Sequence, residues 1–183
     1  MASCFIGGKD MVYLNKIKVA VFDFDDTLAI HKDKDYSQNR KGSNNYFIQA
    51  YLHPDTFYET TEPCYPSPVL QNVVVYCRLN NIPMFCVSGM RFSLHMDAKI
   101  AFIQKYYGND IKFIMASSQE CKADVVQVLK ETNRCDTSEI LFVDDMDCNI
   151  SNMSVLGYSA VSVNDLKNIM VSENRLLMEY MDD

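Results

Sequence analysis

Asp23, Asp25 and Asp26 fall in one short stretch, IKVAVFDFDDTL at residues 17–28, and Thr27 follows them directly. The first half of the stretch is apolar and rich in Val, Ile and Phe, the composition of a buried strand. An ionised carboxylate inside such a strand is very costly unless it is paired or bound to a metal. The strand must therefore end near Asp23, which leaves the acids at its C-terminal edge, where open α/β sheets bind ligands. Asp23 and Asp25 are two residues apart, so in extended geometry they share a face. Two carboxylates that close repel unless a cation or a proton lies between them. A hard dication with oxygen ligands, most simply Mg²⁺, answers that repulsion. An isolated D-x-D more often caps a turn or a helix; the apolar strand before it and Thr27-Leu28 after it weigh against that reading here.

Three later positions offer groups that such a site needs. Ser88-Gly89 follows the apolar run IPMFCV. A hydroxyl there, with the free N–H groups of the next helix, would hold a phosphate oxygen, and Gly89 permits close backbone approach; an ordinary helix cap explains Ser88 equally well. Lys122 lies in QECKADVV, near the start of a helix. A lysine is mildly unfavourable to the helix dipole there, but a site with several carboxylates and a phosphate needs a fixed cation. Lys112, the competing lysine, begins a strand and so lies at the wrong edge of the sheet. Asp144-Asp145 closes the apolar run in LFVDDMDCNI and repeats the logic of Asp23 and Asp25. Helix capping by Asp145 or Asp147 would not explain that paired placement.

The elements that must position these residues alternate. After a weakly patterned leader at 1–16, the first strand covers 17–23. Residues 68–80 show helical spacing, with Asn80-Asn81 as a stop. A second strand at 82–87 leads into a helix over 91–107, closed by Gly108. A third strand at 111–115 precedes a helix capped by Ser117 or Ser118 and running to about 132. A fourth strand at 139–143, a short helix at 149–156, a fifth strand at 158–163 and a last amphipathic helix from Asn164 or Asp165 toward 180 complete the pattern. The alternation predicts an α/β, Rossmann-like three-layer sandwich with a central, mainly parallel sheet of about five strands. Residues 29–68 break it. They are polar and charged at first, then aromatic, and end in three prolines. Their rings (Tyr46, Phe47, Tyr51, Phe57, Tyr58, Tyr65) either form a small flap over the acidic edge or pack the loop onto the domain.

The 183 residues, 48% of them hydrophobic, fit one globular domain with a full core and little room for a second. The net charge of −7 argues against a broad nucleic-acid-binding surface. No apolar run approaches the length of a membrane span, and the first ten residues lack the apolar core of a signal peptide. The seven cysteines are odd in number and none forms C-x-x-C. They predict a reducing, cytoplasmic setting without structural zinc or disulfides. The three histidines are scattered, which argues against a histidine-rich metal site. Nothing in the sequence sets an oligomeric state.

DFDDTL resembles the first motif of the haloacid dehalogenase-like (HAD) superfamily, D-x-D-x-[T/V]-[L/V]. Ser88, Lys122 and Asp144-Asp145 resemble its second, third and fourth motifs, in family order and across most of the chain. The resemblance implies a single HAD-like domain over 1–183 with a flap or minimal cap at 29–68. It implies a phosphatase with Asp23 as nucleophile forming an aspartyl-phosphate, and with Asp25 as general acid and then base. Mg²⁺ would be held by Asp23, the backbone carbonyl of Asp25, and Asp145, with Asp144 and Thr27 in support. Ser88, Gly89 and Lys122 would bind the substrate phosphate. Dehalogenase members lack the second aspartate, so Asp25 favours phosphate chemistry. The chain departs from many members at Asn149, where they carry a further acid. The partner implied is a phosphorylated substrate, with no membrane and with nucleic acid only as substrate: a nucleotide, a nucleic-acid end, a phosphoprotein or a small metabolite. Two other classes fit part of the pattern. A HAD-like binding or regulatory domain would not need every motif intact, and a metal-dependent glycosyltransferase would not need Ser88 and Lys122 where they stand.

Overall fold

The computed structural model describes residues 12–32, 48–49, 51–61, 63–89, 95–118, 121–168, 170–172 and 175–176. In chain order the elements are β1 (Val19–Phe22), β2 (Ala29–His31), β3 (Cys64–Pro66), α1 (Pro68–Leu79), β4 (Met84–Gly89), α2 (Met96–Tyr107), β5 (Ile111–Ala116), α3 (Lys122–Asn133), β6 (Ile140–Asp144), α4 (Asp147–Val155), β7 (Ser159–Ser162), β8 (Met170–Ser172) and β9 (Arg175–Leu176).

Every residue of β1 and of β6 is buried, as strands covered on both faces must be. Their alternate side chains feed two separate cores. Ala20, Phe22, Leu141 and Val143 enter one; Val19, Val21, Ile140 and Phe142 enter the other. α1 and α2 close the first core with residues such as Leu70, Val73 and Phe102. α3 and α4 close the second with Val126, Leu129 and Met153. The result is helix layer, sheet, helix layer, as the alternation predicts.

The main sheet has five strands in the order β5-β4-β1-β6-β7, and each pairing is parallel. From β1 the chain winds outward through β4 and β5, then returns to β6 and winds the other way. β1 and β6 therefore flank the point where the winding reverses, and in such sheets the crevice beyond the strand ends at that point is the ligand site. Asp23 follows β1 immediately, and Asp144 ends β6.

Several boundaries differ from the sequence reading. β4 runs on through Ser88 and Gly89, which pair with Met115 and Ala116. Ser117 and Ser118 do not cap α3: its N-cap is Cys121, without a side-chain cap bond, and Ser118 Oγ accepts from the Cys121 N–H at 3.4 Å. α4 starts at Asp147 rather than at 149. The expected final helix is absent over the described residues. A 3-10 turn at Val163–Asn168 leads to β8, which pairs antiparallel with β9. The β-branched Val171 favours extended chain in β8, and Leu166, fully buried, anchors the turn instead. The expected start of a helix at 91 lies outside the described residues.

The two ends of the segment 29–66 are paired with each other. β2 and β3 pair antiparallel, Ala29 opposite Pro66 and His31 opposite Cys64, so the insertion leaves and rejoins the domain through a two-stranded base. Within it Phe57 and Tyr58 are buried. Tyr58 packs edge-on against Phe24 with ring centroids 5.0 Å apart. Tyr51 and Tyr65 are exposed, so only some of the rings pack the segment onto the domain; Tyr46 and Phe47 lie outside the described residues. No disulfide joins the described cysteines. Among the described residues no helix is long and apolar enough to cross a membrane.

Candidate active site

β1 stops where the sequence requires it to stop. The Asp23 N–H still bonds to the Val143 carbonyl at 2.9 Å, and the chain then turns, with the N–H groups of Thr27 and Ala29 both donating to the Phe24 carbonyl. Phe24 fills the core, and Asp26 takes a left-handed φ of 58°, which Asp tolerates better than most residues. This turn sends Asp23 and Asp25 to different neighbours.

Asp23 is 4% exposed. Its Oδ1 lies 2.7 Å from Lys122 Nζ. The same ammonium donates to Asp144 Oδ2 at 2.8 Å. Asp144, fully buried, also accepts from the Met146 N–H at 2.9 Å and from Asn149 Nδ2, 3.0 Å from each carboxylate oxygen. Asn149 thus replaces the expected acid with a donor that fixes Asp144. Asp147 is exposed and takes no part.

Burial raises the pKa of Asp23; Lys122 opposes that, and Asp144 and Asp25 add to it. Burial works against the charge of Lys122, but Asp23 and Asp144 outweigh it and raise the pKa of the ammonium group. Lys122 is therefore a permanent cation shared by two acids, and one cation does not satisfy both.

Asp23, Asp144 and Asp145 each offer a carboxylate oxygen, all within 4.8 Å of one another. Asp145 is half-buried. Counted as ionised, the three acids Asp23, Asp144 and Asp145 against the ammonium group of Lys122 leave a charge of −2. One dication cancels it. The donor set is oxygen only, which suits Mg²⁺. The residues fit the ion. Asp25 does not contribute its carboxylate to this cluster.

Asp25 faces the other way. Its Oδ2 accepts from Lys99 Nζ at 2.6 Å, and Lys99 also donates to Ser88 Oγ at 2.8 Å. Its Oδ1 lies 3.5 Å from the Tyr58 hydroxyl and 3.6 Å from His31 Nε2. His31 Nδ1 is 3.4 Å from Cys64 Sγ across the β2–β3 base. Ser88 is buried; Gly89 is half-buried, the last residue of β4. Thr27 is fully buried, and its hydroxyl makes no hydrogen bond among the described residues. Lys99 and His31 were not singled out by sequence reasoning, and Tyr58 was named only as one of the six rings of the insertion. A signal existed for Lys99 alone: it shares the helical face of Phe102 and Ile103, three and four residues on, so it is a lysine on an apolar stripe.

No family model matches the chain, and no curated protein matches it in sequence. In three dimensions the chain is similar to phosphoserine phosphatase solved as a phospho-aspartyl intermediate analogue. The two share 12% identity over 91% of this chain and 98% of that one, with a TM-score of 0.50. The chain has the HAD-like hydrolase fold. Also similar are a HAD family enzyme from Bacteroides thetaiotaomicron, solved as a magnesium complex (13% identity, 80% of this chain, 93% of that one, TM-score 0.49), and the HAD domain of effector Lem4 from Legionella pneumophila (14%, 91%, 92%, 0.48). The chain spans 22% of the length of the DsGPDH structure from Dunaliella salina, which matches 78% of this chain at 14% identity and a TM-score of 0.45. The HAD-like fold accounts for the five-stranded order. What those groups do rests on their own geometry.

Proposed function

We propose that this protein is a Mg²⁺-dependent phosphatase that cleaves phosphate monoesters through an aspartyl-phosphate on Asp23. One observation carries the reading: three carboxylates, Asp23, Asp144 and Asp145, converge within 4.8 Å at the winding reversal of the sheet, with Lys122 wedged between Asp23 and Asp144. A nucleophilic carboxylate must approach an anionic phosphate. Lys122 reduces that repulsion, and a dication, which Asp23, Asp145 and the Asp25 carbonyl would hold, would reduce it further. The free oxygen of Asp23 attacks phosphorus, and the bond to the leaving oxygen breaks. Asp25 gives that oxygen its proton, then takes a proton from the water that hydrolyses the acyl phosphate. Ser88, Gly89 and Lys122 steady the equatorial oxygens, where transition-state charge gathers.

We read residues 29–68 as a minimal cap. Among the described residues the gap between β4 and α3 holds one helix and one strand, too little for a larger cap there. A site so lightly covered suits a phosphate carried on a large molecule, such as a nucleic-acid end or a phosphoprotein, as well as a nucleotide. Phosphate release across sugar phosphates, nucleotides, phosphopeptides and 3′-phosphorylated oligonucleotides ranks these classes.

The decisive variant is Asp23→Asn. With an aryl phosphate and Mg²⁺, turnover should fall by at least about a thousandfold, the scale expected when the nucleophile itself is lost, and the beryllofluoride adduct formed by the parent protein should not form. Retained turnover overturns the assignment of Asp23.

A further inference from the structure

Lys99 is the least expected charge in the molecule. It lies in the first turns of α2 on the face that buries Phe102 and Ile103, and it is 2% exposed. Its ammonium group sits 4.9 Å from the centroid of the Phe24 ring. Burying an ammonium costs several kcal/mol before its partners repay it, and an apolar side chain of similar volume is often as stable or better. Stability alone is thus a poor reason for a lysine here. Its two oxygen partners, Asp25 and Ser88, are the groups already placed on either side of the transferred phosphate.

Hydrogen-bond direction gives the lysine a purpose. An ammonium group has three donors and no acceptor. Across the 2.8 Å contact Lys99 donates, so Ser88 Oγ accepts. The hydroxyl proton of Ser88 is then turned away from Lys99 and is available to a second acceptor. At Asp25 the same logic commits Oδ2 to Lys99. That leaves Oδ1, the oxygen facing Tyr58 and His31, for exchange with the leaving group. One buried cation therefore sets the direction of two groups that are themselves 63 residues apart in sequence.

We propose that Lys99 is the positioning residue of the phosphate subsite: by holding Ser88 Oγ and Asp25 Oδ2 together it aims the Ser88 hydroxyl proton at a phosphoryl oxygen. This rests on the phosphatase reading. Lys99 acts through Ser88, whereas Lys122, on the far side, neutralises Asp23 and Asp144.

The test is a cycle of Lys99→Met, Ser88→Ala and the double variant, read by inorganic phosphate affinity in Mg²⁺ and by kcat and KM on an aryl phosphate. Lys99→Met should weaken phosphate binding about tenfold or more, the scale of a hydrogen bond to a charged group. KM should rise in parallel. The double variant should be no more than about threefold worse than the poorer single variant, because both remove one interaction. Lys99→Arg keeps the charge but not the reach to both oxygens. It should also bind phosphate more weakly, and it stands in if Lys99→Met does not fold. Phosphate affinity within twofold of the parent in either folded variant, or losses that multiply in the double variant, overturns the proposal while leaving the phosphatase reading intact. A parent protein that neither binds phosphate nor turns over aryl phosphate sinks the phosphatase reading itself.

Discussion

Between β1 and β6, Asp23, Lys122, Asp144 and Asn149 are fixed by two strand ends and the first turns of two helices. Across the crevice, Asp25, Ser88, Lys99, His31 and Tyr58 come from a turn, a strand end, a helix and the inserted segment. The first group is tied to the sheet by backbone pairing, which runs directly into Asp23 and Asp144. The second depends on side chains reaching across from separate elements, and its contacts at Oδ1 of Asp25 are long, 3.5 and 3.6 Å. On the phosphatase reading proposed above, a nucleophile and its metal must be held to a fraction of an ångström, whereas leaving-group contacts have to admit different substrates. The division of the site into a sheet-built half and an insertion-built half follows that difference in demand.

The largest effect on stability should come from breaking the sheet-built half. Lys122→Met leaves Asp23 and Asp144 buried against each other without their shared cation. Removing one partner of a buried pair costs about 3–5 kcal/mol, and denaturant unfolding without metal should show a loss of that size. Added Mg²⁺ should recover part of it, because a dication takes over the role of the lost ammonium. An unchanged midpoint would mean that the acids are not held ionised by Lys122, and the contrast between the halves would lose its basis.

His95 probes the other half at the level of packing. It precedes α2 and lies against Phe57, ring centroids 5.6 Å apart, so it joins the helix that carries Lys99 to the insertion. Burial, with Lys99 adding and Asp25 opposing, lowers its pKa from 6.5 to about 4. The unfolded chain therefore binds a proton near pH 6.5 that the folded chain refuses until about pH 4. The stabilising contribution is complete above the higher value and is lost as pH falls through the lower one. Over that window the fold should lose about 3 kcal/mol from this group. His95→Leu should flatten that part of the pH–stability profile; a slope that persists in the variant would place the acid sensitivity elsewhere.

How far the sequence spoke for each half follows from the same construction. Asp23, Ser88 and Asp144 could be placed because each ends an apolar strand, and parallel strands carry their ends to one edge. Lys122 could be placed because it opens the helix after β5, the third strand of the sheet in chain order. Lys99 was hidden because a helix shows its buried face only through spacing, and a single lysine among apolar neighbours reads as a flaw in the stripe. His31 and Tyr58 lie in a segment without period, where no local pattern says which ring turns inward. Phe57 and Tyr58 are buried while Tyr51 and Tyr65 are exposed, a division that only tertiary packing decides. The final helix failed for a related reason: apolar residues at suitable spacing were present, but β-branched residues and the pairing of β8 with β9 prevailed.

The smallest expected effect belongs to Tyr58, and it separates packing from chemistry in the insertion-built half. Its ring stacks edge-on with Phe24 and with Phe57, each at a centroid distance of 5.0 Å, while its hydroxyl reaches Asp25 Oδ1 only at 3.5 Å. Tyr58→Phe keeps the ring and removes the hydroxyl. A contact that long is worth about 0.5 kcal/mol at most on the scale of ordinary hydrogen bonds, so unfolding should shift by no more than that. Turnover should fall about two- to threefold. If kcat instead drops by orders of magnitude with the unfolding midpoint unchanged, the hydroxyl closes onto Asp25 when substrate binds. The inserted segment would then be catalytic, and the looser half of the site would be as exacting as the half built on the sheet.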